Sequence, residues 1–182
     1  MTKKELRKKY LNKRKALLSE EISADSALIV SRLKTEFYLE GKTIHFFLPI
    51  EKFQEVKLTE LLSLKNTNFC VPVSDFKTNS MKNIELKNLE NISVNNYGIP
   101  EPTVGKEIIS NKIDIIICPL LAFDLKGNRL GYGKGFYDKF LSNIQAIKIG
   151  VSLFEAEQLL PEVSRVDIPL DYCITPSNIY HF

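Results

Sequence analysis

The chain has no tryptophan, only two histidines and three cysteines, and no apolar run near the ~18 residues that a bilayer-crossing helix needs. Each scarcity removes a class of function. His45 and His181 are too few and too far apart to suggest zinc ligation, and no Ser-His-Asp arrangement is favoured. Cys70, Cys118 and Cys173 are odd in number and lie in apolar, strand-like surroundings, so they read as reduced core cysteines of a cytoplasmic protein. The basic N-terminus lacks the apolar segment of a signal peptide, and no membrane partner is expected. A net charge of +3 is too mild to argue for a nucleic-acid partner; the cations are concentrated in the first fifteen residues.

What is present can bury one sizeable core: 182 residues, 44% of them hydrophobic, predict a single domain over residues 1–182. Thr2-Lys-Lys-Glu5 has the form of a capping box and predicts a helix to about Leu18. At ~100° per residue, Leu6, Tyr10 and Leu17 form its apolar stripe, with Lys3, Arg7 and Arg14 beside it and Lys4, Lys8 and Lys15 on another face. Two readings stand for the flanking cations: a solvated basic face, or Lys3 and Arg7 docked at the edge of a cleft against polyphosphate. A second helix is expected within Ser23–Glu40, closed by Gly41, and a short one over Val56–Leu64. Strands are expected at Thr43–Leu48, Thr67–Val73 (Pro72 marking its end or an edge), Ile113–Cys118, Ala146–Ser152 and Tyr172–Thr175. The Asn-, Lys- and Ser-rich stretch from Ser74 to Asn96 reads as an irregular loop with room for one edge strand, and Tyr97–Pro102 as a stiff turn. Alternating strands and helices predict an α/β domain of three layers around a mostly parallel sheet, with ligands beyond the carboxyl ends of the strands.

Of eight glycines, three stand at alternate positions in Arg129-Leu-Gly-Tyr-Gly-Lys-Gly-Phe-Tyr-Asp138, between the apolar run Ile113–Cys118 and a short helix expected over Gly135–Asn143. A P-loop would need glycine at Asn128 and Ser or Thr at Gly135; a dinucleotide fingerprint would need glycine at Phe136. Neither fits. Glycine still lets backbone approach an anion, and Arg129 and Lys134 bracket the turn with positive charge. Asp138 falls one helical turn past Lys134, where it either pairs with that lysine or holds Mg²⁺ against a phosphate. The loop therefore suggests a Mg–nucleotide site, with a tight structural turn as the plainer reading.

The run Leu121-Ala-Phe-Asp-Leu-Lys-Gly-Asn-Arg-Leu-Gly-Tyr-Gly-Lys-Gly-Phe-Tyr-Asp138 closely resembles the signature of the 5-formyltetrahydrofolate cyclo-ligase family. The basic opening helix, Tyr97–Pro102 and Val166-Asp167…Ile174-Thr175-Pro176 are also similar to that family, in the same order. The resemblance implies a three-layer α/β enzyme that uses ATP, with Mg²⁺, to convert 5-formyltetrahydrofolate into 5,10-methenyltetrahydrofolate; a monomer is expected. It assigns ATP contacts to Lys3, Lys4, Glu5, Leu6 and Arg7 and to Arg129, Leu130, Gly131, Tyr132, Gly133, Lys134, Gly135, Phe136 and Tyr137. Tyr132, Gly133, Lys134, Gly135 and Phe136 also face the folate, together with Leu48 and a carboxylate that is Glu51 or Glu55, with Glu55 preferred because Val56 fits the family pattern. Lys134, Arg129 and Tyr132 are the catalytic candidates. Asp138 and Asp167 match the metal positions, with Asp171 as the alternative to Asp167, which otherwise caps a turn before Pro169. The 74–96 region lacks the family's usual tryptophan and proline pattern. The competing readings are a sugar-phosphate isomerase or CoA-transferase-like enzyme, and a nucleic-acid-binding module built on the basic helix.

Overall fold

A computed structural model describes all residues, 1–182. Seven strands form the central sheet: β1 (Thr43–His45), β2 (Asn68–Asp75), β3 (Ser80–Glu85), β6 (Ile115–Pro119), β9 (Ile147–Val151), β10 (Tyr172–Ile174) and β11 (Ile179–His181). Their order is β11-β10-β9-β6-β1-β2-β3, and the inner five run parallel. The two edges, β3 on β2 and β11 on β10, are antiparallel. Two small hairpins stand apart, β4 (Ile92–Val94) with β5 (Pro100–Pro102) and β7 (Ala122–Phe123) with β8 (Arg129–Leu130).

Alternation along the strands sorts the core into layers. Ile44, Ile115, Ile117, Ile149, Val151 and Ile174 face α2 (Ser19–Glu36), where they meet Ile22, Ile29, Val30 and Leu33. Ile116, Cys118 and Cys173 face the other way, toward Leu141 of α3 (Phe136–Leu141) and Leu170. Position 150 also faces this side, and it is glycine because a Cβ there would stand 2.5 Å from Leu170 and 2.7 Å from Leu120. The third cluster places Leu6 and Tyr10 of α1 (Lys3–Lys15) on Leu121, Ala122 and Leu130 of the β7–β8 hairpin. No helix is long and apolar enough to cross a membrane.

Several boundaries differ from the sequence reading, each for a local reason. The Thr2/Glu5 capping box forms, but α1 stops at Lys15. Helix α2 starts four residues early: the Glu21 carboxylate accepts from Leu18 N–H, leaving Ser23 inside the helix with its hydroxyl turned back to Ser19 O. Gly41 closes the following turn at φ +74° rather than the helix, which ends at Glu36. The Val56–Leu64 helix reduces to a 3₁₀ turn over Thr59–Ser63. The 74–96 stretch contains edge strand β3 and half of a hairpin, and Tyr97–Pro102 supplies the other half. Pro72 lies inside β2, paired with Asn83 of β3, beyond the last β1 pairing at Cys70, so its missing N–H costs the ladder nothing. The strand after Tyr172–Ile174, β11, had no clear signal.

Candidate active site

The five parallel strands end at one edge of the sheet, and the segments following β1, β2 and β6 line a cavity of about 400 Å³ together with α1 and Asp167. One wall is charged. It is built by the first turns of α1, the 129–138 loop and Asp167. The loop is presented by the β7–β8 hairpin, whose turn is held by Asp124: Oδ1 accepts the N–H groups of Lys126 and Asn128, and Oδ2 that of Leu160. The loop then passes through Gly133 at φ +86° and Gly135 at φ +71° before α3 begins. Side chains other than glycine adopt such angles only with strain, and a Cβ on Gly133 would also press on the Arg7 guanidinium at 3.0 Å.

Along residues 131–137 no backbone N–H makes a hydrogen bond within the protein. Successive free N–H groups form a concavity suited to an anion. Helix α3 has only six residues, so the main-chain donors matter here more than a helix dipole. Around them stand Arg7, whose Nε donates to Gly131 O at 2.9 Å, and Lys134, which is exposed and has no ion-pair or hydrogen-bond partner. Lys3 Nζ pairs with Asp167 Oδ2 at 2.7 Å, and Arg129 Nη2 with Asp138 Oδ1 at 2.6 Å. Partial burial works to raise the Asp167 pKa, but the Lys3 ammonium, the Ser164 N–H and Arg129 outweigh it and hold the carboxyl below its ordinary range.

The rest of the lining is largely apolar and aromatic, formed by Leu48, Ile50, Phe53, Phe76 and Tyr97 together with Phe136 from the loop itself. Phe76 stacks on Tyr97 at 3.8 Å between centroids and meets the edge of Phe136 at 5.0 Å. Glu55 is set into this wall, 3% exposed, accepting from Tyr132 Oη at 2.5 Å and from Ile50 N–H at 2.7 Å. Burial raises its pKa, against the pull of these two donors and of Arg14. Tyr137 completes the lining, and its hydroxyl lies 3.0 Å from Nε2 of buried His45, whose Nδ1 lies 2.9 Å from Asn83 Oδ1. Burial pushes the His45 pKa down to about 4, so the ring is neutral, donates to Asn83 and accepts from Tyr137.

The cavity brings together Lys3, Arg7, Leu48, Glu55, every residue from Arg129 to Asp138, and Asp167. It leaves out Lys4 and Glu5, which are exposed on α1, and Leu6, which is buried against the β7–β8 hairpin. Of the paired alternatives, Glu51 is exposed on a 3₁₀ turn outside the lining, and Asp171 is tied to the backbone and side chain of Lys148. Asp138 pairs with Arg129 and not with Lys134, because the helix starts only at Phe136 and the two residues share no face. Asp167 does hold a turn, accepting from Ser164 N–H, while also facing the cavity. Sequence reasoning placed Arg14 among the flanking cations; it is fully buried behind the cavity, and the charge run around it concealed that.

Residues 1–176 match the profile of the 5-formyltetrahydrofolate cyclo-ligase family. The chain is 29% identical over 174 residues to 5-formyltetrahydrofolate cyclo-ligase of Mus musculus, covering 88% of this chain and 86% of that protein. The match to the Escherichia coli K12 protein of the same name is 36% identical and covers 49% of this chain and 52% of that protein. Among solved structures, 5,10-methenyltetrahydrofolate synthetase of Aquifex aeolicus superposes with a TM-score of 0.83 at 35% identity, covering 100% of this chain and 93% of that one. The synthetase from Mycoplasma pneumoniae gives 0.77 at 28% identity, covering 97% and 99%.

Proposed function

The chain belongs to the 5-formyltetrahydrofolate cyclo-ligase family, and from that premise we propose how its cavity carries out the ATP-dependent conversion of 5-formyltetrahydrofolate into 5,10-methenyltetrahydrofolate. One observation carries the reading: a run of free main-chain donors with cations and a wall of aromatic rings with one buried carboxylate line the same space. The first suits a polyphosphate, the second a flat heterocycle with N–H donors.

The N5-formyl group is an amide, and its oxygen leaves poorly. Transfer of the γ-phosphoryl group to that oxygen gives an imidoyl phosphate and ADP. N10 of the same folate attacks the formyl carbon and gives up its proton to water. The C–O bond breaks with its electron pair leaving on phosphate, and the ring closes as the N5–C–N10 amidinium with release of inorganic phosphate. Phosphoryl transfer depends mostly on positioning and charge neutralisation. The N–H groups of residues 131–137 hold the phosphates, and Lys3, Arg7 and Arg129 surround them. Lys134, free of other partners, neutralises charge on the transferring group. Leu48, Phe136 and the Phe76–Tyr97 stack enclose the pterin, and Glu55 accepts its N–H donors.

The two carboxylates fit a magnesium ion. Asp138 uses Oδ1 for Arg129 and Ile168 N–H, and Asp167 uses Oδ2 for Lys3 and Ser164 N–H, so each keeps one oxygen without a protein partner. Mg²⁺ is commonly held by one or two carboxylates together with substrate phosphates, and when bound it would offset phosphate charge. We place the enzyme in the cytoplasm as a monomer, with both substrates served by one domain.

Purified protein mixed with 5-formyltetrahydrofolate and Mg–ATP is expected to develop the near-ultraviolet methenyl chromophore with matching ADP release. ADP release without the chromophore would remove the folate assignment and leave the nucleotide site.

A further inference from the structure

Behind the aromatic wall runs a buried chain of hydrogen bonds whose direction is fixed at both ends. It starts at Arg14 on α1, 2% exposed. Its Nη2 donates to Leu120 O, and its Nη1 donates to Tyr132 Oη at 2.8 Å and to Phe53 O at 3.4 Å. A guanidinium has donors only. With one lone pair of Tyr132 taken by Arg14, the hydroxyl proton points to Glu55 Oε1. At the far end, Ile50 N–H can only donate as well, and it does so to Glu55 Oε2. Both carboxylate oxygens therefore receive, and the Tyr132 ring is clamped flat on Phe53 at 4.7 Å.

We propose that Arg14 is a positioning residue for the folate half of the reaction: by donating to Tyr132 it turns that hydroxyl onto Glu55, and so presents Glu55 to the cavity as an acceptor for ligand N–H groups. The inference rests on the folate reading above. Arg14 does not line the cavity and acts only through Tyr132. Arginine suits the task because its planar fork reaches two carbonyls and a hydroxyl on separate segments, which a single ammonium cannot do with the same geometry. Without it the Tyr132 hydroxyl is free to rotate. Glu55, already biased by burial toward protonation, then takes a proton more readily and meets ligand N–H groups with an O–H.

The test uses Arg14→Lys, Tyr132→Phe, the double variant and wild type. Folate-dependent ADP release is measured across a pH series, varying 5-formyltetrahydrofolate at saturating Mg–ATP and then the reverse. Arg14→Lys is expected to lower kcat/KM for the folate roughly 10-fold and to move its acid limb to higher pH, with KM for ATP within about 2-fold of wild type. Tyr132→Phe is expected to do the same, and the double variant to be no worse than the poorer single one. An unmoved acid limb with both substrates equally affected would make Arg14 a structural clamp and overturn the proposal. Additive losses in the double variant would overturn it too. Should Arg14→Lys fail to fold, Arg14→Gln, which keeps an N–H donor group, is put through the same pH series and decides by the same acid limb. Wild type without folate-dependent ADP release would instead sink the folate reading itself.

Discussion

Asp167 and Glu55 are carboxylates on the same cavity, yet they are held in contrasting ways. Asp167 is one-fifth exposed and held by Lys3, a flexible side chain whose own exposure is 18%. Glu55 is buried and held by a stacked tyrosine and a backbone N–H. Partly exposed pairs are worth little and reform easily, whereas buried charges lose heavily when one partner goes. On the proposed reading the charged wall therefore exchanges partners only at its partly exposed pair when a phosphate arrives: Lys3 turns to the anion and Asp167 becomes available to a cation. The buried Arg129, also bonded to Ile168 O, stays beside Asp138. The aromatic wall is set before the ligand enters. A site handling a mobile, heavily charged group and a rigid heterocycle benefits from both arrangements.

Four measurements would break or sharpen this contrast. The largest effect is expected at the charged wall, where Lys134→Ala should cut turnover by roughly 10²–10³, the scale for losing one donor that meets developing charge. Near-normal turnover would remove Lys134 from that role. Next comes acid, acting on the set wall. The folded pKa of His45, about 4, lies below its unfolded value of 6.5, so the unfolded chain binds the extra proton between these pH values. Stability should thus fall as pH drops from about 6.5 to about 4, by about 3 kcal/mol from this group, and His45→Gln should flatten the loss in chemical denaturation. A third change, Glu55→Gln, is expected to weaken 5-formyltetrahydrofolate binding about 10-fold or more and leave ATP affinity alone, the scale of a charge-assisted hydrogen bond. Equal losses for both substrates would show that the two walls are not separable. The smallest effect is expected at the proposed metal carboxylates: Asp138→Asn should raise the Mg²⁺ concentration needed for half-maximal activity by several-fold, more at low salt than at high. An unchanged metal titration would count against Asp138 as a ligand.

Much of this contrast was readable in the chain. The capping box sets the start of α1, and with it Lys3 and Arg7 on the cavity edge. The alternate glycines marked the loop, and short apolar runs such as Ile113–Cys118 marked strands of the parallel core. Arg14 was not legible. On a helical wheel it differs little from Lys3 and Arg7, and its burial depends on Leu120 O and Tyr132 Oη, more than a hundred residues away. In the 74–96 stretch the one edge strand expected is β3, paired with β2. The β4–β5 hairpin was not legible, because polar composition suggests loop and the strand forms only by pairing, a tertiary gain that overrides weak local preference. Glu55 could be favoured over Glu51 by its neighbours, but only the fold shows one buried and the other in solvent.

The free donors of residues 131–137 belong to the main chain, and this shapes how the protein tolerates inherited change. A substitution alters a side chain and leaves its N–H in place, so most replacements along the loop would spare the phosphate cradle. Proline alone deletes a donor. Damage should instead concentrate where the path of the loop is set, at Gly133 and Gly135, whose left-handed angles any larger residue resists. On the proposed reading the cradle is thus robust at most of its positions and fragile at Gly133 and Gly135, where the path of the loop is set.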